Sequence, residues 1–355
     1  MVELLPETTR LLYAELLEQS IHASAEAAAE PLPPGSIVEK KIRGRSYWYV
    51  QTSAGRYKKQ HYLGADSPAL RTWIKQTRET KSERAVDASS RSRLAGMLAS
   101  GGAATVSPAL LRVFELLDEA RVFHWGGVLI GTHAFGTYGN MLGARWTGAA
   151  LRTQDIDIAQ DSIVGVGLRA DAEPVDVPQV LAQSDLGFFA IPTLDPRQPS
   201  TSFRIRGQEL RVDFLTPLRG PERTKPIFLP SLRVAAQPLR MLDYLIDDSL
   251  QALIIGSRDA VLVNVPQPAR FALHKLWTST RRAAAFQSKA QKDLAQAAVL
   301  IDFLSSERPF DLESAAAAIG DRPKVRRKIF EVLPKLEDHG TSTATIQQIA
   351  ELVDT

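Results

Sequence analysis

The chain has 355 residues, of which 44% are hydrophobic and 23% charged, and its formal net charge is +3. This composition is ordinary for a globular protein, and the length favours two or three domains. The chain contains no cysteine, which excludes disulfides and thiolate metal sites. No apolar run reaches the roughly 18–20 residues of a membrane helix, and the N-terminus lacks the pattern of a secretory signal, so we expect a cytoplasmic protein.

The first 98 residues predict a small module that combines helices with a β-meander. Residues 7–29 have the apolar spacing of a helix. Three short strand-like runs follow between residues 36 and 64, and their Arg-Gly-Arg and Ala-Gly-Arg connections are typical of hairpin turns. A charge-rich helix is predicted at 67–98. The sequence ASGGAAT at 99–105 then has the composition of a linker, where we expect a domain boundary.

The meander is unusually basic and aromatic. From Lys40 to Gly64 it holds seven Lys or Arg residues and no acid, interleaved with Tyr and Trp. Cations neutralise phosphates and aromatic rings stack on bases, so this composition suits contact with nucleic acid. The alternative is that the aromatic residues form the core of the small sheet and the cations its solvated face. The predicted nucleic-acid-binding residues are Lys40, Lys41, Arg43, Arg45, Trp48, Arg56, Lys58 and Lys59.

The rest of the chain predicts a mixed domain followed by helices. Ser107 has the position of a helix cap, with proline next to it. An apolar strand then runs into the pair Gly131-Thr132, and a hairpin is predicted at 201–216. The pattern is helical after residue 266, with a long amphipathic helix at 284–304. The expected fold class is α+β, a mixed sheet with flanking helices, and the expected domains are 1–98, 107–265 and 266–355.

Three aspartates carry the strongest functional signal. In TQDIDIA, Asp155 and Asp157 alternate with isoleucines, so a strand would place both carboxylates on one face and bury the apolar side chains on the other. In ELRVDFL, Asp213 shares its face with Arg211 and lies inside an apolar strand, where an unpaired charge is costly. Clustered carboxylates are hard oxygen ligands that suit Mg²⁺. Upstream, Gly131 permits close approach of backbone amides to a ligand, and a helix N-terminus favours anions.

A Gly-Thr pair after a strand, an Asp-x-Asp motif and a later lone Asp resemble the DNA polymerase β-type nucleotidyltransferase superfamily. Two departures stand out. Thr132 occupies the place of the usual Gly or Ser, although it keeps a hydroxyl. The interval from Gly131 to Asp155 is also longer than the usual ten or so residues, so an insertion must be accommodated.

Within the superfamily, the chain is most similar to bacterial toxin-type members related to the AbiEii abortive-infection proteins. Their Arg-x-Ser-type stretch before Asp-x-Asp corresponds to Arg152 and Thr153, and their Lys on a helix after the sheet corresponds to Lys275. A basic-Asp pair on the next helix corresponds to Lys292 and Asp293. The lysines also have a simpler interpretation, as ordinary charges on packed helices. The resemblance covers about residues 107–304.

The resemblance implies a polymerase β-like fold and transfer of NMP from an NTP, such as ATP, to an acceptor hydroxyl with release of pyrophosphate. It implies Mg²⁺ as the cofactor, with two ions bound and Mn²⁺ as a substitute. The acceptor stays open among RNA or tRNA, a protein side chain and a small molecule, and an antitoxin is a further candidate partner. The implied catalytic and metal-binding residues are Asp155, Asp157 and Asp213, and the implied nucleotide-binding residues are Gly131, Thr132, Lys275 and Lys292.

Two other functions stay open. The chain could be a catalytically inert nucleic-acid-binding or toxin–antitoxin interaction protein on the same fold. The three acids argue against this, because an idle site has no physical reason to keep like charges together. A nuclease could use the same acids, but nucleases lack the Gly-hydroxyl turn for phosphates. The convergence of the three carboxylates in space is the observation that separates these functions.

Overall fold

The computed structural model of the chain describes residues 2–29, 36–42, 44–54, 57–146, 153–163, 174–193, 195–282 and 286–354. Its centre is a nine-stranded mixed sheet with helices packed against it, which confirms the expected α+β class. A separate three-stranded sheet forms the meander, and a two-stranded ribbon joins the N-terminus to the central region. Among the described residues, no helix combines the length and apolar character that a membrane crossing requires.

The secondary-structure elements follow the predicted order. The strands are β1 (Val2–Leu4), β2 (Ser36–Ile42), β3 (Arg45–Ala54), β4 (Tyr57–Ala65), β5 (Val128–Ile130), β6 (Ala144–Trp146), β7 (Asp155–Ala159), β8 (Phe188–Ala190), β9 (Ser202–Ile205), β10 (Arg211–Pro217), β11 (Ile227–Leu229), β12 (Val234–Leu239), β13 (Leu250–Ile255) and β14 (Ala260–Val265). The helices are α1 (Glu7–Ala29), α2 (Pro68–Ser100), α3 (Pro108–Glu119), α4 (Gly131–Leu142), α5 (Val177–Gln183), α6 (Leu242–Ile246), α7 (Pro268–Ser279), α8 (Gln287–Glu307), α9 (Pro309–Ala317), α10 (Pro323–Val332) and α11 (Thr343–Asp354). A 3₁₀ segment (Leu333–His339) lies between α10 and α11.

Strands β7 and β10 lie side by side near the middle of the central sheet. They run parallel, and β5 pairs antiparallel with the other edge of β7. Both strands alternate as predicted, with Ile156, Ile158 and Phe214 buried on the apolar face. The polar side chains between them therefore emerge on the opposite face of the sheet.

The hydrophobic core continues from the sheet into the C-terminal helices. Helix α8 is amphipathic, as its sequence predicts, and buries Leu294, Ile301 and Leu304. These residues join the strands and α7 in one cluster of buried side chains. This packing fixes α7 and α8 relative to the strands, so polar residues on these helices can contribute to a site on the sheet.

The N-terminal helices also pack on the central sheet. Leu16 of α1 and Leu98 of α2 are fully buried in a second cluster with Leu253 of β13. The connection after α2 is fixed by Asn140, whose side chain donates to the carbonyl of Ala104 and accepts from its amide, both at 2.8 Å. The predicted domain boundaries stay a prediction, and the structure adds that residues on both sides of the first boundary share this core.

The shared core predicts that α1 stabilises the whole fold. We expect Leu16→Ala to lower the free energy of unfolding by about 2–5 kcal/mol, because it leaves a cavity between α1 and the sheet. Leu11→Ala removes a side chain on the same helix that is 64% exposed, and it should change stability by less than about 0.5 kcal/mol. Denaturant titrations followed by tryptophan fluorescence measure both. An unchanged fluorescence transition in Leu16→Ala would show that α1 melts independently of the sheet.

Candidate active site

The three predicted aspartates meet on one face of the sheet. In the parallel pairing of β7 with β10, Asp157 is the register partner of Asp213, and Asp155 is the partner of Arg211. Register partners point to the same face, and neighbouring strands are only about 4.8 Å apart. The structure therefore brings the Asp-x-Asp pair and the lone Asp together, although Asp213 follows Asp157 by 56 positions in the chain.

Gly131 lies directly beside this carboxylate cluster. It follows Ile130, which pairs with Asp157 across β5 and β7, and it has a left-handed φ of +70°. A Cβ atom at this position would come within 2.5 Å of Asp157 Oδ2. Position 131 therefore requires glycine for two reasons: its backbone conformation is left-handed, and a side chain would collide with the Asp157 carboxylate. It also starts α4, whose N-cap residue supplies no side-chain hydrogen bond to the first amides of the helix.

Thr132 is less open than its sequence position suggests. The residue is almost fully buried, and its hydroxyl accepts a hydrogen bond from Nε2 of Gln296 at 3.4 Å. This contact joins the start of α4 to α8. A direct phosphate contact by the hydroxyl stays a prediction.

The stretch before the Asp-x-Asp motif, Arg152 and Thr153, is described only in part. Thr153 Oγ1 accepts a hydrogen bond from the amide of Asp155, whereas Arg152 lies outside the described residues.

Lys275 is oriented by a buried carboxylate on the next helix. Its Nζ donates to Oδ1 of Asp293 at 2.6 Å, and Nε of Arg282 donates to Oδ2 of the same residue at 3.0 Å. The Asp293 side chain is only 3% exposed, so it is not part of a solvated helix face. Sequence reasoning matched Asp293 to a motif but missed its two partners. The sequence contained only a weak signal, namely Lys275 in one predicted helix, Arg282 shortly after it and an acid in the next helix.

Lys292 approaches the aspartates from α8. It lies one helical turn before Gln296, the partner of Thr132, and it is half-buried. Burial, and then the nearby charge of Lys275, lower the pKa of the Lys292 ammonium. The negative charges of Asp293 and Asp155 oppose this change in the pKa of Lys292. The predicted nucleotide-binding residues Gly131, Thr132, Lys275 and Lys292 are therefore gathered around the carboxylates.

Arg211 occupies a position that sequence reasoning left without a role. Its guanidinium lies 3.3 Å from Oδ2 of Asp155 and 2.8 Å from Oδ2 of Asp213, so one cation bridges two of the three acids. The other oxygen of Asp213, Oδ1, is buried and has no hydrogen-bond partner among the described residues. The carboxylate cluster is thus partly neutralised by the protein itself and keeps one unpaired buried oxygen.

The electrostatics show that the acids repel one another. Burial, and then the charge of Asp213, raise the pKa of Asp157 to about 7, while Lys275 opposes the change. Burial also raises the pKa of Asp213, whereas contacts with Ser202 and Arg211 lower it. A bound cation would relieve this repulsion.

The donor set suits a hard divalent cation, but the side chains are not arranged around one. Carboxylate oxygens are the ligands that Mg²⁺ prefers, and Asp213 Oδ1 has no other partner among the described residues. Within the described ranges, however, no three acidic or histidine side chains are grouped so that they could hold one metal ion together. Arg211 gives a physical reason, because its guanidinium lies between Asp155 and Asp213. Metal binding by the aspartates therefore stays a proposal and requires Arg211 to move.

The predicted nucleic-acid-binding residues lie on the meander and divide between its two faces. Lys40, Lys41 and Arg45 are exposed. Trp48 faces α2, and its Nε1 donates to Asp66, two residues before that helix, at 3.0 Å. Arg43 and Arg56 lie outside the described residues, and Lys58 and Lys59 are described only as backbone positions of β4.

Comparison with known proteins finds a matching family. A family model described as a nucleotidyltransferase matches residues 109–320, which is more than half of the chain and includes all three aspartates, Lys275 and Asp293. No curated protein and no solved structure matches the chain.

The raised pKa of Asp157 predicts how stability depends on pH without metal. The ordinary pKa is 3.8 and the folded value is about 7, so the folded state binds this proton more tightly. Stability should therefore fall as the pH rises from about 4 to about 7 and then level off. Asp157→Asn stays neutral, so it should melt roughly 2–5 °C above the parent protein at pH 8, and this gap should close near pH 4.

Thermal melts in EDTA across this pH range measure the gap. Asp259→Asn, on the exposed turn between β13 and β14, controls for the loss of one carboxylate. A variant that melts at or below the parent temperature at pH 8 would contradict the repulsion inferred at Asp157.

The bridging contacts of Arg211 predict that it competes with divalent cations. Arg211→Gln should bind Mn²⁺ several times more tightly, because two carboxylates lose their internal counter-ion. It should also be less stable in EDTA for the same reason. Electron paramagnetic resonance of free Mn²⁺ measures the affinity, with Arg206→Gln on the neighbouring exposed turn as the control. Equal or weaker binding by Arg211→Gln would show that the guanidinium does not block a cation site.

Proposed function

The chain belongs to this nucleotidyltransferase family, and from that premise we propose that it transfers NMP from an NTP to an acceptor hydroxyl with the help of Mg²⁺. In this reaction the acceptor oxygen forms a bond to the α-phosphorus, the bond from the α-phosphorus to the bridging oxygen breaks, and pyrophosphate leaves. The observation that carries the proposal is the pairing of Asp157 with Asp213 on adjacent strands beside Gly131.

Asp155, Asp157 and Asp213 are the residues that would hold Mg²⁺, with two ions expected, once Arg211 has moved away from Asp155 and Asp213. A bound divalent cation would neutralise phosphate charge and make the acceptor hydroxyl more acidic. Mn²⁺ offers the same preference for oxygen ligands. The unpaired Oδ1 of Asp213 supports this role, since a buried carboxylate oxygen is costly without a partner.

The positive groups around the aspartates suit the triphosphate. Lys275 and Arg282 share Asp293, which holds both side chains in place, and Lys292 enters from the same helix as Asp293. Their charges would stabilise the negative charge that develops on the leaving pyrophosphate. The uncapped amides at the start of α4 provide further donors. Binding the metal and accepting the proton of the acceptor hydroxyl are alternative roles for Asp213 Oδ1.

We further propose that the acceptor is RNA rather than a protein or a small molecule, and that the meander binds it. The exposed cations Lys40, Lys41 and Arg45 support this proposal. We also propose that the reaction belongs to a cytoplasmic toxin–antitoxin or defence system, and the support for this is the likeness of Lys275 and the Lys292-Asp293 pair to the toxin-type members.

A second candidate is an inert interaction protein on the same fold. The contacts of Arg211 favour it, because a permanent bridge from Arg211 to Asp155 and Asp213 would leave no room for a cation. The two candidates differ in one measurable property, since an inert protein transfers no nucleotide under any metal condition.

The decisive experiment is a transfer assay with the acids removed. The full chain is incubated with Mg²⁺, total RNA or lysate protein, and each NTP labelled at the α-phosphate. We expect labelled RNA from one or more NTPs. Asp155→Ala and Asp213→Ala should each lower the rate by about a hundredfold or more, because the phosphates lose their compensating cation. Asp259→Asn, on the exposed turn, should keep the parent rate.

Transfer by Asp155→Ala at nearly the parent rate would show that the carboxylates do not serve the reaction. Absence of transfer by the parent protein with every NTP and with both Mg²⁺ and Mn²⁺ would favour the inert candidate. Labelled protein without labelled RNA would retain the reaction and overturn the acceptor.

A further inference from the structure

The meander presents a cluster of tyrosines on one of its two faces. Tyr49 is the register partner of Val38 on β2 and of Tyr62 on β4, and Tyr47 is the partner of Lys40. The Tyr62 ring lies 5.4 Å from that of Tyr49 and 6.3 Å from that of Tyr47, and Nζ of Lys40 lies 5.5 Å from the centre of the Tyr49 ring. We call Lys40, Tyr47, Tyr49 and Tyr62 the tyrosine face.

The opposite face of the meander is covered by α2. Val50 is 1% exposed, and Trp48 lines a pocket of about 400 Å³ together with Ile74 and Arg78 of α2. The Arg78 guanidinium lies 5.5 Å from the centre of the Trp48 ring. The core of the small sheet is therefore on the α2 side, and the tyrosines are not needed to form it.

The tyrosine face is open to solvent although it is aromatic. Tyr62 is 59% exposed, Lys40 is exposed, and Tyr47 and Tyr49 are half-buried. Large aromatic side chains that stay exposed in a cluster usually mark a binding surface. Their neighbours determine the class of ligand, because the segment from Lys40 to Gly64 carries cations and no acid. Such a surface is complementary to a ligand that combines planar rings with negative charge.

We propose that the tyrosine face binds single-stranded RNA. The bases of a single strand are free to stack on tyrosine rings, and its phosphates can pair with Lys40 and the neighbouring cations. A duplex hides the flat faces of its bases and cannot use the tyrosines in this way. The same face supplies hydrogen-bonding groups. Gln51 lies two residues after Tyr49 on β3, so its side chain is on the same face, and it accepts a hydrogen bond at 2.9 Å from Gln60, its register partner on β4. These two amides can bind the 2′-hydroxyl, which distinguishes RNA from DNA.

The assignment of this RNA as the acceptor rests on the proposed function, but binding itself does not. The tyrosine face contains none of the aspartates and none of the lysines around them. Binding can therefore be measured in EDTA and without an NTP. A protein that binds RNA but transfers nothing would overturn the proposed function alone, and a protein that transfers but does not bind here would overturn this proposal alone.

The test measures binding of a fluorescein-labelled 12-nucleotide RNA strand to the full chain by fluorescence anisotropy. We expect Tyr49→Ala with Tyr62→Ala to weaken binding at least about tenfold, because two stacking contacts are lost. Tyr49→Phe with Tyr62→Phe keeps both rings and should bind as the parent does. Phe310→Ala removes an exposed aromatic side chain of α9 and serves as the matched control.

A second measurement does not depend on the folding of the alanine variant. Lys40→Gln should make the dependence of log affinity on log salt shallower by roughly 0.7, as expected for one lost phosphate contact on a single strand. An unchanged salt slope would overturn the contact at Lys40.

Three outcomes would overturn the proposal. The first is binding by the double alanine variant within twofold of the parent. The second is equal affinity for the 12-nucleotide RNA as a strand and as a duplex, which would exclude stacking on the tyrosines. The third is equal affinity for a DNA strand of the same sequence, which would overturn the assignment to RNA.

Discussion

The packing of Asp157 against Asp213 on adjacent parallel strands is the constraint on which the rest of the site depends. The register of β7 with β10 makes the two residues direct neighbours, and the sheet around them is buried on its apolar face. Burial, and then the charge of Asp213, raise the pKa of Asp157, so the ionised Asp157 raises the free energy of the folded state. The positive charges of Lys275 and Arg211 offset part of that cost.

Two cations, one from the sheet and one from a helix, offset the repulsion between the aspartates. Arg211 comes from the same strand as Asp213 and bridges it to Asp155. Lys275 comes from α7, and its charge lowers the pKa of Asp157 while it pairs directly with Asp293. Burying the ion pair of Lys275 with Asp293 costs desolvation free energy, so we infer that the pair serves to hold the Lys275 side chain in position. The site is thus built from the sheet and from the C-terminal helices together.

The N-terminal region adds a surface with different chemistry. The aspartate site combines buried charges at short distances, whereas the tyrosine face combines partly exposed rings with the exposed Lys40. The first suits a compact, highly charged ligand such as a triphosphate, and the second suits an extended chain of bases and phosphates. A protein that joins a nucleotide to a polymer requires both kinds of surface.

The sequence by itself determined the elements and the identity of the acids. The alternation of Asp155 and Asp157 with isoleucines, and of Asp213 with Val212 and Phe214, depends only on the two-residue period of a strand, so it could be predicted locally. The same local signals predicted α1, the meander and the long helix α8.

The partners of these residues were decided only by the tertiary structure. The bridge from Arg211 to Asp155 requires the register between two strands, and the contact of Lys275 with Asp293 requires the packing of two helices. The orientation of Trp48 towards α2, away from the tyrosines, likewise depends on which face of the meander the helix covers. Contacts of this kind form between segments distant in the chain, and local propensity contains no information about which segments will meet.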